Sequence, residues 1–262
     1  MEVDSELVRF LQWALPRLGM RWPGFRRVRR QVGRSIRRRL SELGLADLAA
    51  YRAHLERDPA EWAALETACR VTISRFFRDR GVWQDLEARV LPALAAHRER
   101  PLRAWSAGCA SGEEAYTLAL AGHEAGVALE IHATDVDPRL LARAREGLYP
   151  ESSLREVSQS RRDRLFSENA GAWRLRDRWR GRVTFAEQDL AHALPAGPFE
   201  LVLCRNLVFT YWDDDRQQTF VEAVAARIVP GGALVIGAHE VLPGGSAGFL
   251  PWQAVPLVYR RS

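Results

Sequence analysis

Leu102-Arg103-Ala104-Trp105-Ser106-Ala107-Gly108-Cys109-Ala110-Ser111-Gly112-Glu113-Glu114-Ala115-Tyr116 decides the fold of this chain. Residues 102–107 read as a short β run. Gly108 to Gly112 form a turn with glycine at both ends, and a helical pattern then runs from Glu113 to Gly126. A second strand is expected at Leu129 to Ala133, which completes a βαβ unit.

Working outward, further strands are expected at Val183 to Glu187, Phe199 to Cys204, Ala233 to Ala238 and Val255 to Arg260. A helix from Arg216 to Val229 is expected to close on Pro230-Gly231-Gly232. Strands joined by helices demand an α/β fold with a doubly wound, mainly parallel sheet. Gly147 to Arg182 is polar and weakly periodic and reads either as an insertion or as a helix plus hairpin. The first hundred residues read as four helices: one around Leu7 to Leu15, then Phe25 to Leu43, Leu45 to Leu55 and Ala60 to Cys69. The expected division is a helical domain over 1–80 and an α/β domain over 81–262.

With 262 residues, 47% hydrophobic and 27% charged, the composition is that of a globular protein and excludes collagenous and wholly disordered classes. No apolar run reaches the roughly 18 residues of a membrane span, and Asp4 and Glu6 precede any apolar stretch, unlike a secretory signal. A cytoplasmic location without membrane insertion is expected. Cys69, Cys109 and Cys204 are widely spaced, so they form neither a disulfide framework nor a cysteine-based metal site. All 38 basic residues are arginine. Ten of them lie between Arg17 and Arg39 with no acid, a local basic patch that reads as spread around a helix.

Four segments carry candidate chemistry. The glycine turn sits at the carboxyl end of a parallel strand, where α/β sheets bind ligands. It has neither the dinucleotide fingerprint nor a phosphate-loop lysine, and Glu113 and Glu114 at the helix start disfavour phosphate. A ligand pocket and a plain turn with two helix-capping acids both fit it. Asp135, in Thr134-Asp135-Val136-Asp137-Pro138, is placed to accept the hydroxyls of an adenosine ribose, while Asp137 suits the cap of the next helix. Arg205 and Asn206 follow the apolar run Leu201-Val202-Leu203, where polar residues are costly unless they face a cavity or ligand. Tyr211, Asp213, His239 and Glu240 are secondary candidates. Thr72-Ile73-Ser74-Arg75-Phe76-Phe77-Arg78-Asp79 reads either as a lid, with two aromatics plugging a pocket, or as an anchor between helical part and sheet.

In this order and spacing the four segments resemble the CheR family of chemotaxis receptor methyltransferases, which move a methyl group from S-adenosylmethionine to receptor glutamates. The carriers are Arg75 to Asp79, Trp105 to Tyr116, Ala133 to Pro138, Ala144 to Tyr149, Phe199 to Asn206 and Pro230 to Gly232. The resemblance implies a class I methyltransferase fold with a small helical N-terminal domain. It also implies S-adenosylmethionine as cofactor, held by Thr72, Ser74, Arg78, Gly108, Glu114, Asp135, Asp189, Leu190, Arg205 and Asn206. Arg205 would orient the acceptor carboxylate, Tyr211 would flank the methyl, and no metal is implied. Partners implied are an acidic helical protein of the chemoreceptor kind or a small-molecule acceptor, with nucleic acid ranked last. Thr72, Ser74 and Asp189 stand where the family usually has Asn, Thr and Asn, all hydrogen-bonding residues. After Asn206 one residue is inserted, so that Thr210 takes the place of the family's tyrosine and Tyr211 follows it. The inserted residue opens a second expectation, an acceptor that is another protein or a small carboxylate or hydroxyl compound.

Overall fold

The computed structural model describes residues 2–96, 98–244 and 248–262. Two compact units share the chain: a helical unit of residues 2–73 with 210–217, and an α/β unit of residues 74–209 with 218–262.

The helical unit is built from Glu2–Ala14, a 3-10 turn Leu15–Leu18, and helices Trp22–Phe25, Arg29–Leu43, Leu48–Arg57 and Glu61–Cys69. Leu11, Leu15, Phe25, Ile36, Tyr51 and Leu65 form its core. The long arginine helix starts at Arg29 rather than Phe25, because 26–28 form a turn. Val32, Gly33, Ile36 and Leu40 are its buried positions. Arg30, Arg34, Arg37 and Arg38 are exposed and, at about 100° per residue, fall within one arc of the opposite side. These four form an exposed stripe, while Arg29 and Arg39 lie on other sides of the helix and bond to Asp4 and Glu61, so the arginines as a set do spread around it. Residues 210–217 are stitched to this unit by backbone bonds, Arg21 N donating to Tyr211 O at 2.9 Å and Asp213 N to Gly19 O at 3.0 Å. Gly24 is required by this approach, since a Cβ there would lie 2.1 Å from the Thr210 carbonyl oxygen.

The α/β unit begins with a helical stretch the sequence reading did not place, Arg80–Asp85 continuing through a π turn to Leu91–Ala95. Its strands are β1 (Leu102–Ala107), β2 (Leu129–Asp135), β3 (Leu148–Tyr149), β4 (Phe166–Asn169), β5 (Ala172–Leu175), β6 (Val183–Glu187), β7 (Phe199–Leu203), β8 (Ile228–Val235), β9 (Phe249–Pro251) and β10 (Val258–Arg261). The main sheet has the order β6-β2-β1-β7-β8-β10-β9, parallel from β6 to β8 and antiparallel at β10 and β9. β7 is buried throughout, as the centre of a sheet covered on both faces demands. β8 starts at Ile228 and runs through Pro230-Gly231-Gly232, which the sequence reading took for a helix stop. Gly232 passes so close to β7 that a Cβ would meet the Glu200 carbonyl at 2.9 Å, and the pairing is irregular between Phe199 and Leu201. The glycines form a bulge within the strand. The 147–182 segment is a helix plus hairpin: Gln159–Leu165 leads into β4 and β5, and β3 joins them in a separate antiparallel sheet.

Candidate active site

The strands β1, β2 and β7 end side by side, so their carboxyl-end loops converge. β1 delivers Ser106 and then the glycine turn, in which Gly108 and Cys109 both donate their N–H to Thr134 O, at 2.8 and 2.9 Å. Gly108 is in left-handed backbone with φ +72°, and a Cβ there would strike the Leu207 side chain at 2.3 Å. Burial pushes the Cys109 thiol well above its ordinary range, so it packs as an apolar group.

Four side chains from three segments meet at the tip of β1. The Glu114 carboxylate accepts from Ser106 Oγ at 2.8 Å and from Arg205 Nη1 at 3.2 Å. Arg205 Nη2 also donates to Asp79 Oδ2 at 2.8 Å and to Arg78 O at 3.0 Å. The Arg205 side chain is only 2% exposed. Its guanidinium lies over the Trp83 ring, and its buried Nε has no partner. Arg78 Nη2 donates to Asn206 Oδ1 at 2.9 Å. Burial raises the Glu114 carboxyl above its ordinary value, and the Arg205 charge and Ser106 bond pull it back only in part.

At the tip of β2, Asp135 Oδ2 accepts from Ala110 N at 2.8 Å and Oδ1 from Asp137 N at 3.0 Å. Burial raises this carboxyl too, with the backbone donors opposing. Asp137 caps the following helix through Arg139 N at 2.9 Å. Four non-glycine residues here hold left-handed backbone: Phe77 (φ 55°), Asp79 (φ 61°), Ala110 (φ 49°) and Asn206 (φ 58°). Of these, three are held the same way, each donating its N–H to a side-chain oxygen: Phe77 to Thr117 at 3.2 Å, Ala110 to Asp135, and Asn206 to Glu240 at 2.8 Å. Such backbone costs about 1–3 kcal/mol per residue and clusters where geometry is imposed for a purpose.

Arg78, Gly108, Glu114, Asp135, Arg205 and Asn206 thus come together in one unit, with Ser74 at its first residue. Asp189, after β6, accepts from Ala191 N at 2.9 Å, and the preceding Gln188 N donates to Asp135 O, which ties its loop with Leu190 to the β2 tip. Thr72 and Tyr211 belong to the helical unit, where the Tyr211 ring packs on Phe25 at 4.9 Å. Asp213, in the same unit, caps the next helix through Arg216 N at 3.0 Å. His239 is exposed. The two phenylalanines are fully buried within the α/β unit. Phe76 packs edge-on against Tyr149 and Phe166, Phe77 against Trp83, and both are core of the α/β unit. Sequence reasoning missed Asp79 and Trp83 as partners of Arg205, because nothing in spacing joins residues over a hundred positions apart. Asp79 does stand next to Arg78 in a motif already singled out.

The donor set fits S-adenosylmethionine, which carries a sulfonium, an amino-acid end and a ribose. Three carboxylates (Asp79, Glu114, Asp135) against two guanidiniums (Arg78, Arg205) leave one excess negative charge, which suits a ligand with a cationic centre. The buried, unpaired Arg205 Nε is the kind of donor that a bound ligand would satisfy. Among the described residues there is no cluster of metal-ligating side chains, and no helix is long and apolar enough to cross a membrane.

Residues 72–253 match the family model described as the CheR methyltransferase SAM binding domain, and residues 28–68 match the all-alpha domain of the same family. The chain is 34% identical over 229 residues to a chemotaxis protein methyltransferase of Klebsiella aerogenes, covering 81% of this chain and 75% of that protein. It is 36% identical over 243 residues to the "Probable biofilm formation methyltransferase WspC" of Pseudomonas aeruginosa, covering 88% of this chain and 56% of the other. A match of 32% identity over 219 residues, or 80% of this chain, spans only 23% of an uncharacterised 104.1 kDa protein of Rhodobacter capsulatus. With both domain models matched in order and the glycine turn, Asp135 and Arg205-Asn206 gathered at the strand tips, the chain belongs to the CheR family of S-adenosylmethionine-dependent methyltransferases.

Proposed function

We propose that the chain moves a methyl group to a carboxylate oxygen, that of a glutamate side chain on an acidic helical protein of the chemoreceptor kind. The cofactor supplies an electrophilic methyl on a cationic sulfur. A glutamate, with an ordinary pKa near 4.3, is ionised at pH 7 and needs no general base. The observation that carries this reading is the engagement of two acids that could otherwise serve as a base. Glu240 accepts backbone N–H groups from Asn206, Leu207 and Gly237, and Asp213 caps a helix. Together with the exposed His239, these are the groups a hydroxyl or amine acceptor would call upon as base. Holding sulfur, methyl and oxygen in line then provides most of the acceleration, worth about 7–11 kcal/mol in well-oriented systems.

In this reading Thr72, Ser74, Arg78, Gly108, Glu114, Asp135, Asp189, Leu190, Arg205 and Asn206 hold the cofactor. Arg205 fixes Glu114 and Asp79, and its free Nε is the donor left for the incoming carboxylate; Tyr211 flanks the methyl. The stripe Arg30, Arg34, Arg37 and Arg38 receives the acidic face of the substrate helix, and the reaction takes place in the cytoplasm. The names of the Klebsiella and Pseudomonas relatives support a signalling substrate. The test is transfer of labelled methyl to acidic helical receptor peptides, followed by mild alkali. A carboxyl ester releases methanol under alkali; a label stable to alkali would overturn the acceptor assignment.

A second reading, another protein or a small carboxylate or hydroxyl compound as acceptor, draws on the inserted residue after Asn206. Tyr211 lies in the segment 210–217 that belongs to the helical unit. This reading expects label in small molecules or unrelated proteins of a cell extract, with receptor peptides unlabelled.

A further inference from the structure

We infer that Glu240 is a positioning residue for the cofactor cradle, its carboxylate fixing the backbone corner at Asn206 and Leu207 against the glycine turn after β1. Three N–H groups converge on this one side chain. Oε2 accepts from Gly237 N at 2.6 Å and Asn206 N at 2.8 Å, and Oε1 accepts from Leu207 N at 3.1 Å. Glu240 N returns a bond to Gly237 O at 3.0 Å, which closes a turn at the end of β8. The loop after β7 is thereby tied to the strand beside it. Glu240 is 5% exposed, so water does not replace these bonds.

What the carboxylate fixes borders the site on both sides. Asn206 holds left-handed backbone, rarely adopted by L residues, and from there its Oδ1 accepts the Arg78 guanidinium. Leu207, next in the corner, fills the space over Gly108 that a Cβ would occupy. Glu240 therefore acts through Asn206 and Leu207, not by touching the reacting atoms. A glutamine at this position has one acceptor oxygen and an NH2 group. Whichever way it turns, at least one of the three backbone N–H groups faces another donor.

This inference rests on the reading that Gly108 and Asn206 border the cofactor, and the test separates the two. Calorimetry with S-adenosylmethionine is run on the full chain and on Glu240→Gln, Glu240→Asp and Gly237→Ala. The last variant leaves Glu240 in place but puts a Cβ 2.7 Å from Oε2 and 2.9 Å from Asn206 N. Glu240→Gln and Gly237→Ala are expected to weaken cofactor binding about tenfold or more, with Glu240→Asp, which keeps both acceptor oxygens on a shorter stem, between them and the unaltered chain. Glu200→Gln is the control. It removes a buried carboxylate bonded to Arg98, Arg100 and Arg103 N in the same unit, and is expected to lower the melting temperature while affinity at 20 °C stays unchanged. The inference is overturned if Glu240→Gln and Gly237→Ala bind within twofold of the unaltered chain. It is equally overturned if Glu200→Gln loses as much affinity at an equal drop in melting temperature. Absence of binding by the unaltered chain would instead strike the reading of the site beneath it.

Discussion

Arg39 in the helical unit and Arg205 in the α/β unit each face carboxylates, and the two arrangements differ in how completely they are satisfied. In the helical unit Arg39 grips Glu61 through two bonds of 2.9 and 2.7 Å, and the buried Tyr51 hydroxyl donates to the same carboxylate at 2.8 Å. The Arg39 bonds hold the Glu61 carboxyl below its ordinary 4.5, and burial keeps the Tyr51 phenol protonated as a donor. In the α/β unit Arg205 divides itself between Glu114 and Asp79, keeps an unpaired Nε, and leaves Glu114 raised by burial. A saturated pair serves as scaffold. An undersaturated one, among left-handed backbone, is poised for a further partner. The exposed stripe Arg30, Arg34, Arg37 and Arg38 is a third environment, solvated rather than buried.

The largest effect is expected from Arg205→Ala, which leaves Glu114 and Asp79 without their shared cation. Denaturant unfolding should show a loss of about 3–5 kcal/mol, the cost of removing one member of a buried charge pair, and cofactor affinity measured by calorimetry should fall as well. An unchanged affinity would erase the distinction between scaffold pair and site pair. Glu61→Gln should cost about 2 kcal/mol in denaturant unfolding and leave cofactor affinity unaltered.

The two carboxylates also tilt stability oppositely with pH. Glu61 has a lowered folded pKa, so its stabilisation is present above pH 4.5 and is lost as pH falls through the folded value. Glu114 has a raised one, so its contribution is present below pH 4.5 and is lost as pH rises through the folded value. Acid titration of unfolding in Glu61→Gln should show a shallower loss below pH 4.5 than in the unaltered chain; an identical slope would remove Glu61 as its source. The smallest effect on stability, within about 0.5 kcal/mol, is expected for Arg34→Glu with Arg37→Glu and Arg38→Glu. The same triple change should weaken binding of an acidic helical peptide and flatten its salt dependence. Equal binding would leave the stripe a merely solvated face.

Much of this was legible because the α/β unit is locally encoded. The strand, glycine turn and helix at 102–124 follow from alternation and glycine placement, and Asp137 before Pro138 marked its own cap. The less legible parts have tertiary causes. Pro230-Gly231-Gly232 looks like a stop until Gly232 is seen against the Glu200 backbone. The burial of the adjacent phenylalanines shows only once Phe76 is found among Tyr149 and Phe166. The arginine stripe emerges only once packing shows which arginines are engaged, Arg29 by Asp4 and Arg39 by Glu61, and which are left exposed.

The sequence alone determined the helical first part, the βαβ unit with its glycine turn, the mainly parallel sheet and the family resemblance, because periodicity, glycine and local capping act over a few residues. Only the tertiary structure decided which charges meet. Arg205 finds Glu114 and Asp79 across 91 and 126 positions, Glu240 finds Asn206 across 34, and Tyr211 is drawn to Phe25. The physical reason is that a buried polar group must be satisfied by whatever the packing brings within about 3 Å, and sequence distance places no limit on that.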